Sequence, residues 1–139
     1  MFLSSFFKKH QQLYYDKLNA YHNNNVIDWL HFYLDGVIET ANQSIATSKK
    51  ITALREEDMR KIQSLGKREA TSGVLFLQHL FKNPIASSST VVNSIGFSRA
   101  GAAKLIERFV ELEILTPFDE NTKYGKTYIY SRYVEIFRD

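Results

Sequence analysis

Residues 88–106, Ser-Ser-Thr-Val-Val-Asn-Ser-Ile-Gly-Phe-Ser-Arg-Ala-Gly-Ala-Ala-Lys-Leu-Ile, constrain the fold more than any other part of the chain. A short apolar run stops at Gly96, the residue type that most readily turns a helix end. Ser98 stands two positions later, ready to cap a second run. Two short helices separated by a glycine turn make the pattern of a helix-turn-helix. In such a unit the second helix, residues 98–111, is offered to a DNA major groove, and residues 123–126 behind it read as the tip of a wing.

The rest of the chain supplies the material for a packed core. Of 139 residues, 44% are hydrophobic and 14% aromatic, enough for one domain or for two small ones that share an interface. Cysteine is absent, which excludes a disulfide framework and thiolate chemistry. The four histidines, His10, His22, His31 and His79, lack the spacing of a zinc site. At the N-terminus the apolar residues precede Lys8 and Lys9, the reverse of a signal peptide. Apolar segments are interrupted by Asp28, Asp35 and Glu39, so no membrane span is expected and a cytoplasmic location fits.

Net charge is +3, and its distribution is uneven. Residues 1–84 carry 11 Lys and Arg against 8 Asp and Glu, whereas residues 85–139 carry 7 against 7. The helix-turn-helix half is neutral, which argues against strong nonspecific DNA affinity, because that affinity comes from neutralising phosphates.

Apolar periodicity gives the remaining elements. Ser4 or Ser5 caps a first helix to about Tyr21, with Phe7, His10, Tyr14, Leu18 and Tyr21 on one face. Asn23, Asn24 and Asn25 form a turn, after which Val26, Leu30, Tyr33, Leu34, Val37, Ala41 and Ile45 trace a long second helix. Gly36 inside that stripe marks a close helix crossing, since glycine weakens a helix by about 1 kcal/mol relative to alanine. The helical register continues through Ile51, Leu54, Met59, Ile62 and Leu65 and stops at Gly66, where Lys67 and Arg68 begin a basic connector. A helix over 69–82 buries Val74, Leu75, Leu77, Leu80 and Phe81, and Asn83-Pro84 ends it. Residues 114–118 and 127–130 are short strands joined by a polar loop containing Gly125, with Pro117 implying an edge strand. The expected fold is mainly α: a helical segment of about three helices over 1–66, followed over 67–139 by a winged helix-turn-helix with a small β-hairpin wing.

On the second helix of the motif, Ala102, Leu105, Ile106, Phe109, Val110 and Leu112 share the side that covers the core. The opposite side holds Ala100, Ala103, Lys104, Glu107, Arg108 and Glu111. Base edges are reached from the N-terminal turns of such a helix, so Arg99, Ala100, Ala103 and Lys104 are the candidate readers. Ser98 can bond a phosphate through its backbone amide, with Arg108 and the wing residues Lys123, Tyr124 and Lys126 completing the candidate DNA surface. The competing reading is a solvated helix face on which Lys104 and Arg108 pair with Glu107 and Glu111.

Catalytic constellations are missing: no Ser/His/Asp set, HExxH motif, paired carboxylates or glycine-rich phosphate loop is visible. Phe6, Phe7, Trp29, Phe32 and Tyr33 recur at helical spacing and read as core, or as a subunit interface, rather than as a cofactor pocket.

Three segments carry a family resemblance. The first is Leu3-Ser4-Ser5-Phe6-Phe7 followed by Leu13-Tyr14-Tyr15-Asp16-Lys17-Leu18. The second is Asp28-Trp29-Leu30-His31-Phe32-Tyr33-Leu34-Asp35-Gly36-Val37-Ile38-Glu39-Thr40-Ala41, and the third Phe97-Ser98-Arg99-Ala100-Gly101-Ala102. Together they resemble the C-terminal portion of Fic-family proteins, enzymes that transfer AMP from ATP to protein hydroxyls. They are similar to the segment downstream of the family's catalytic loop, to its next helix and to its terminal winged helix. The family's catalytic signature, His-Pro-Phe with an acidic residue and Gly-Asn-Gly-Arg, occurs nowhere in this sequence.

The resemblance implies that the catalytic residues, ATP and a divalent metal belong to a region before Met1. The chain itself is then a noncatalytic piece without cofactor, either a fragment or a truncated gene product. The partners expected are double-stranded DNA, with autoregulation of transcription as the purpose, or else a second copy or a protein target bound through the winged helix.

Overall fold

The computed structural model describes residues 3–119, 121 and 124–138. Among them the chain is mainly helical, with seven helices and a small three-stranded antiparallel sheet. It divides into two compact units, Met1–Lys49 and Lys50–Asp139.

In the first unit, α1 (Leu3–Lys9) and α2 (Gln11–His22) precede the start of α3 (Val26–Gln63). The first helix read from the sequence is therefore two, interrupted at His10, although the backbone bonds from His10 N to Phe6 O and from Tyr14 N to His10 O carry the chain across the break. Asn24 adopts a left-handed conformation (φ 71°), and the Asn25 side chain accepts the Asp28 amide, so the asparagine triplet both turns the chain and caps α3. The rings of Phe6, Phe7, Tyr14, Trp29 and Phe32 pack in tilted, edge-to-face and, for Phe7 on Trp29, stacked pairs, with Phe32 buried. Gly36 lies beneath this cluster. A β-carbon there would stand 2.6 Å from the Phe6 ring, so the glycine does serve a close crossing, between α1 and α3. Lys17 bonds Asp28 at 2.8 Å and Lys9 reaches Glu39 at 3.5 Å.

The second unit begins within α3, whose last turns supply Leu54 and Ile62 to its core. The following elements are α4 (Lys67–Lys82), β1 (Ile85–Ala86), α5 (Ser88–Ile95), α6 (Arg99–Glu111), β2 (Thr116–Pro117), β3 (Tyr128–Ile129) and α7 (Ser131–Ile136). The core joins Phe76, Leu77, Leu80, Val91, Ala102, Leu105, Ile106, Phe109, Ile114, Leu115 and Tyr130. Phe76 and Phe109 meet at 4.7 Å between ring centroids. Leu75, expected inside, is 51% exposed, and its neighbour Phe76 fills the place. Leu77 and Leu80 are buried as their spacing suggests and Val74 and Phe81 pack against the core, so Leu75 alone of the five leaves the stripe, and the larger Phe76 ring fills the core beside it.

In the sheet, β3 is central, paired antiparallel with β1 (Ile85↔Ile129) and with β2 (Thr116↔Ile129, Pro117↔Tyr128). Pro117 occupies an edge strand, as its missing amide requires. The strands are only two residues long, shorter than the runs read from the sequence, and β1 and α7 had no sequence signal of their own. Behind β3 the fully buried Asp58 of α3 accepts hydrogen bonds from the Tyr130 hydroxyl and from Arg132 Nη2. Arg132 also bonds Glu57 at 3.2 Å, and Lys61 lies 3.7 Å from Asp58. Burial, and then the Asp58 carboxylate, push the Tyr130 phenol far above its ordinary value, so the ring stays neutral and donates. Burial works against the Arg132 charge, but its bonds to Asp58 prevail and raise it.

Candidate nucleic-acid interface

Ser87 opens α5 with a reciprocal cap. Its hydroxyl accepts the Thr90 amide at 3.3 Å, while the Thr90 hydroxyl accepts the Ser87 amide at 3.3 Å. Gly96 closes the helix in the left-handed region (φ 83°), where a side chain would be strained. Two residues on, Ser98 caps α6 by accepting the Gly101 amide at 3.2 Å. This punctuation is local in origin. It fixes where α6 begins and hence which side chains occupy its first turns.

The side of α6 expected to meet the core does so: Ala102, Leu105, Ile106 and Phe109 are buried. Arg99 and Ala103 flank that side in one direction and line an open groove of about 680 Å3. Its other walls are Ser87, Ser88, Ser89, Val92 and Asn93 from α5, and Gly125, Lys126 and Thr127 from the loop before β3. Two cations, Arg99 and Lys126, thus share a concave surface with the first turn of α5, whose free amides carry partial positive charge. Among the described residues neither forms an ion pair. Ala100 and Ser98 are exposed, Gly125 turns the loop with φ 63°, and Tyr124 projects at 89% exposure.

Lys104 and Arg108 behave differently. They flank α6 on the side of α4, where Glu69 receives both: Lys104 Nζ stands 3.7 Å from one oxygen and Arg108 Nε 3.5 Å from the other. Arg108 also bonds Glu111 at 3.2 Å. The sequence suggested pairing within α6; the geometry adds Glu69, from an element 35 residues upstream of Lys104, which no local spacing reveals. Lys123 lies outside the described residues.

The groove therefore gathers Arg99, Ala103 and Lys126 from the candidate set, while Lys104 and Arg108 are held in ion pairs on the opposite flank. The residues that sequence reasoning missed are Ser87, the N-cap of α5, and Ser88, Ser89 and Asn93 within that helix. Among the described residues no cluster of His, Asp or Glu is arranged to hold a metal ion, and no helix is long and apolar enough to cross a membrane. No protein-family model matches this chain, and no curated protein matches it in sequence.

Proposed function

We propose that the Lys50–Asp139 unit is a winged helix that binds double-stranded DNA, with α6 as the reading helix and the loop around Lys126 as the wing. The observation that carries this reading is the convergence on one open groove of Arg99 and Lys126, which form no ion pair among the described residues, with small Ala103 and the α5 N-terminus. Small residues permit close approach of the helix to base edges, Arg99 offers a bidentate donor for guanine, and Lys126 and the α5 amides suit phosphates. The resemblance to Fic-family proteins gives the setting: a noncatalytic C-terminal region of a protein adenylyltransferase, using DNA contact to regulate its own operon. ATP and metal chemistry then belong to the parent enzyme, and this chain's residues contribute none of it.

The test is a fluorescence anisotropy titration of operon DNA against random duplex. Preferential binding of the operon sequence, lost in Arg99→Ala, is the expected result. Equal and negligible binding to both duplexes refutes the reading.

A second reading rests on a separate observation. The first unit exposes Ile27 (69%), Leu30, Leu34, Ile38 (59%) and Ile45 along α3, a longer apolar array than isolated surface residues explain. Together with the neutral charge balance of residues 85–139, this favours a protein-interaction or dimerisation role, and sedimentation showing only monomer at high concentration would dismiss self-association.

A further inference from the structure

On the DNA-binding reading above, α6 presents two pairs of groups that can meet phosphates, and they are not equivalent. Arg99 and Lys126 line the groove and, among the described residues, form no ion pair. Lys104 and Arg108, on the other flank, share one carboxylate: Glu69 Oε1 is 3.7 Å from Lys104 Nζ and Glu69 Oε2 is 3.5 Å from Arg108 Nε. Glu69 stands in the first turn of α4, a position that suits an acidic side chain whether or not α6 has cations to offer. Its two oxygens nonetheless divide between the two α6 cations, as two oxygens of a phosphate would. Lys104 is 66% exposed on its side chain and Arg108 40%, so both heads remain within reach of an incoming polyanion. The recess between them also holds Arg68, Ser72 and Ser98.

We propose that Glu69 is an internal stand-in for DNA phosphate, withholding Lys104 and Arg108 and thereby keeping nonspecific affinity low. Exposed ion pairs of this kind are weak in water and exchange partners readily. A duplex that seats α6 in its groove must displace Glu69 before the two cations can neutralise phosphates. A sequence-matched site supplies the base contacts of Arg99 to offset that displacement; a random one does not. Glu69 therefore sets the ratio of specific to nonspecific binding without touching DNA itself, which makes it a positioning residue for the reading helix.

The experiment measures binding of a random-sequence duplex by the whole chain at KCl concentrations from about 50 to 200 mM, for the wild type, Glu69→Gln and Glu69→Asp. Each phosphate neutralised adds about 0.9 to the salt slope; Glu69→Gln frees Lys104 outright while Arg108 keeps Glu111 at 3.2 Å, so the slope steepens by about one and the affinity rises severalfold at the lower salt. Glu69→Asp, which keeps the charge, stays near the wild-type slope. Adding Lys104→Ala and Arg108→Ala to Glu69→Gln removes the gain. A merely structural role for Glu69 would lower the melting temperature of Glu69→Gln and leave the slope alone, which overturns the proposal while DNA binding stands. If the folded wild type and Glu69→Gln both ignore random and operon duplexes alike, the DNA reading itself falls and the proposal falls with it.

Discussion

The Tyr130 hydroxyl donates to Asp58 in the interior of the C-terminal unit, joining the residue that follows β3 to a carboxylate of α3 that has no exposed surface. The two are 72 positions apart. Arg132 approaches the other carboxylate oxygen, so a buried charge is matched by a cation and by a neutral donor together. A buried pair of this type adds little net stability while intact and is costly to break from one side.

Removing one member of this network should therefore be worse than its intact contribution suggests. Asp58→Ala leaves the Tyr130 hydroxyl without its acceptor and the part-exposed Arg132 guanidinium with Glu57 alone, and is expected to destabilise by about 3 kcal/mol, the lower end for a broken buried pair. Tyr130→Phe deletes only the donor and is expected to cost about 1–3 kcal/mol. Urea denaturation followed by circular dichroism distinguishes the two.

The same network sets an alkaline limit. Tyr130 is held above its ordinary value near 10, so the unfolded chain loses that proton first as the pH rises, and the folded form is progressively disfavoured. Stability present below pH ~10 should fall above it, and Tyr130→Phe should flatten that part of the profile. A decline of equal steepness in the variant would assign the effect to other groups.

Glycine replacements at two helix positions should both fail to give the usual gain. Alanine in place of glycine strengthens an open helix by about 1 kcal/mol. At Gly73 the new carbon would meet Ile62 Cγ2 at 2.7 Å, and Ile62 is wholly buried; at Gly36 it would meet the half-buried Phe6 ring at 2.6 Å. Gly73→Ala should be the more damaging, by about 1–3 kcal/mol, and Phe6→Ala should restore the benefit of Gly36→Ala. Thermal melts of the single and double variants check both statements.

Ser98 separates capping from DNA contact. Ser98→Ala should cost about 1 kcal/mol of stability through loss of the bond to the Gly101 amide. Ser98→Asp preserves a capping oxygen and so should keep the melting temperature, while its negative charge at the entrance of α6 should weaken DNA binding severalfold. Undiminished affinity in Ser98→Asp would mean that this end of α6 does not approach a duplex.

Core positions divide sharply along α4. Phe76→Ala should lose about 3–5 kcal/mol, whereas Leu75→Ala, at a half-exposed position, should change stability by less than about 0.5 kcal/mol. Chemical denaturation of the two variants would show this contrast directly.

Much of the second unit was legible because its signals are local. Gly96, Ser98 and Pro117 each act through their own backbone geometry, and the stripe Ala102, Leu105, Ile106 and Phe109 repeats at helical spacing. What escaped reading depends on distant partners. Asp58 falls four residues after Leu54 and four before Ile62, in register with the buried stripe, so a carboxylate at an inward position was a visible clue. Its donors, however, come from the far end of the chain. Glu69 is similar: nothing near it in sequence indicates that α6 will bring two cations to its oxygens. A two-residue strand such as β1 leaves no periodicity at all, since its existence depends on pairing with β3.

The borders of the little sheet carry a consequence for life at high concentration. Pro117, on one border, has no amide to lend, and on the other the Ile85 amide is already engaged by the Asn83 side chain at 3.3 Å. A stray polypeptide sliding alongside finds few unused donors to zip onto, so growth of this sheet into fibrils is denied a template on either flank.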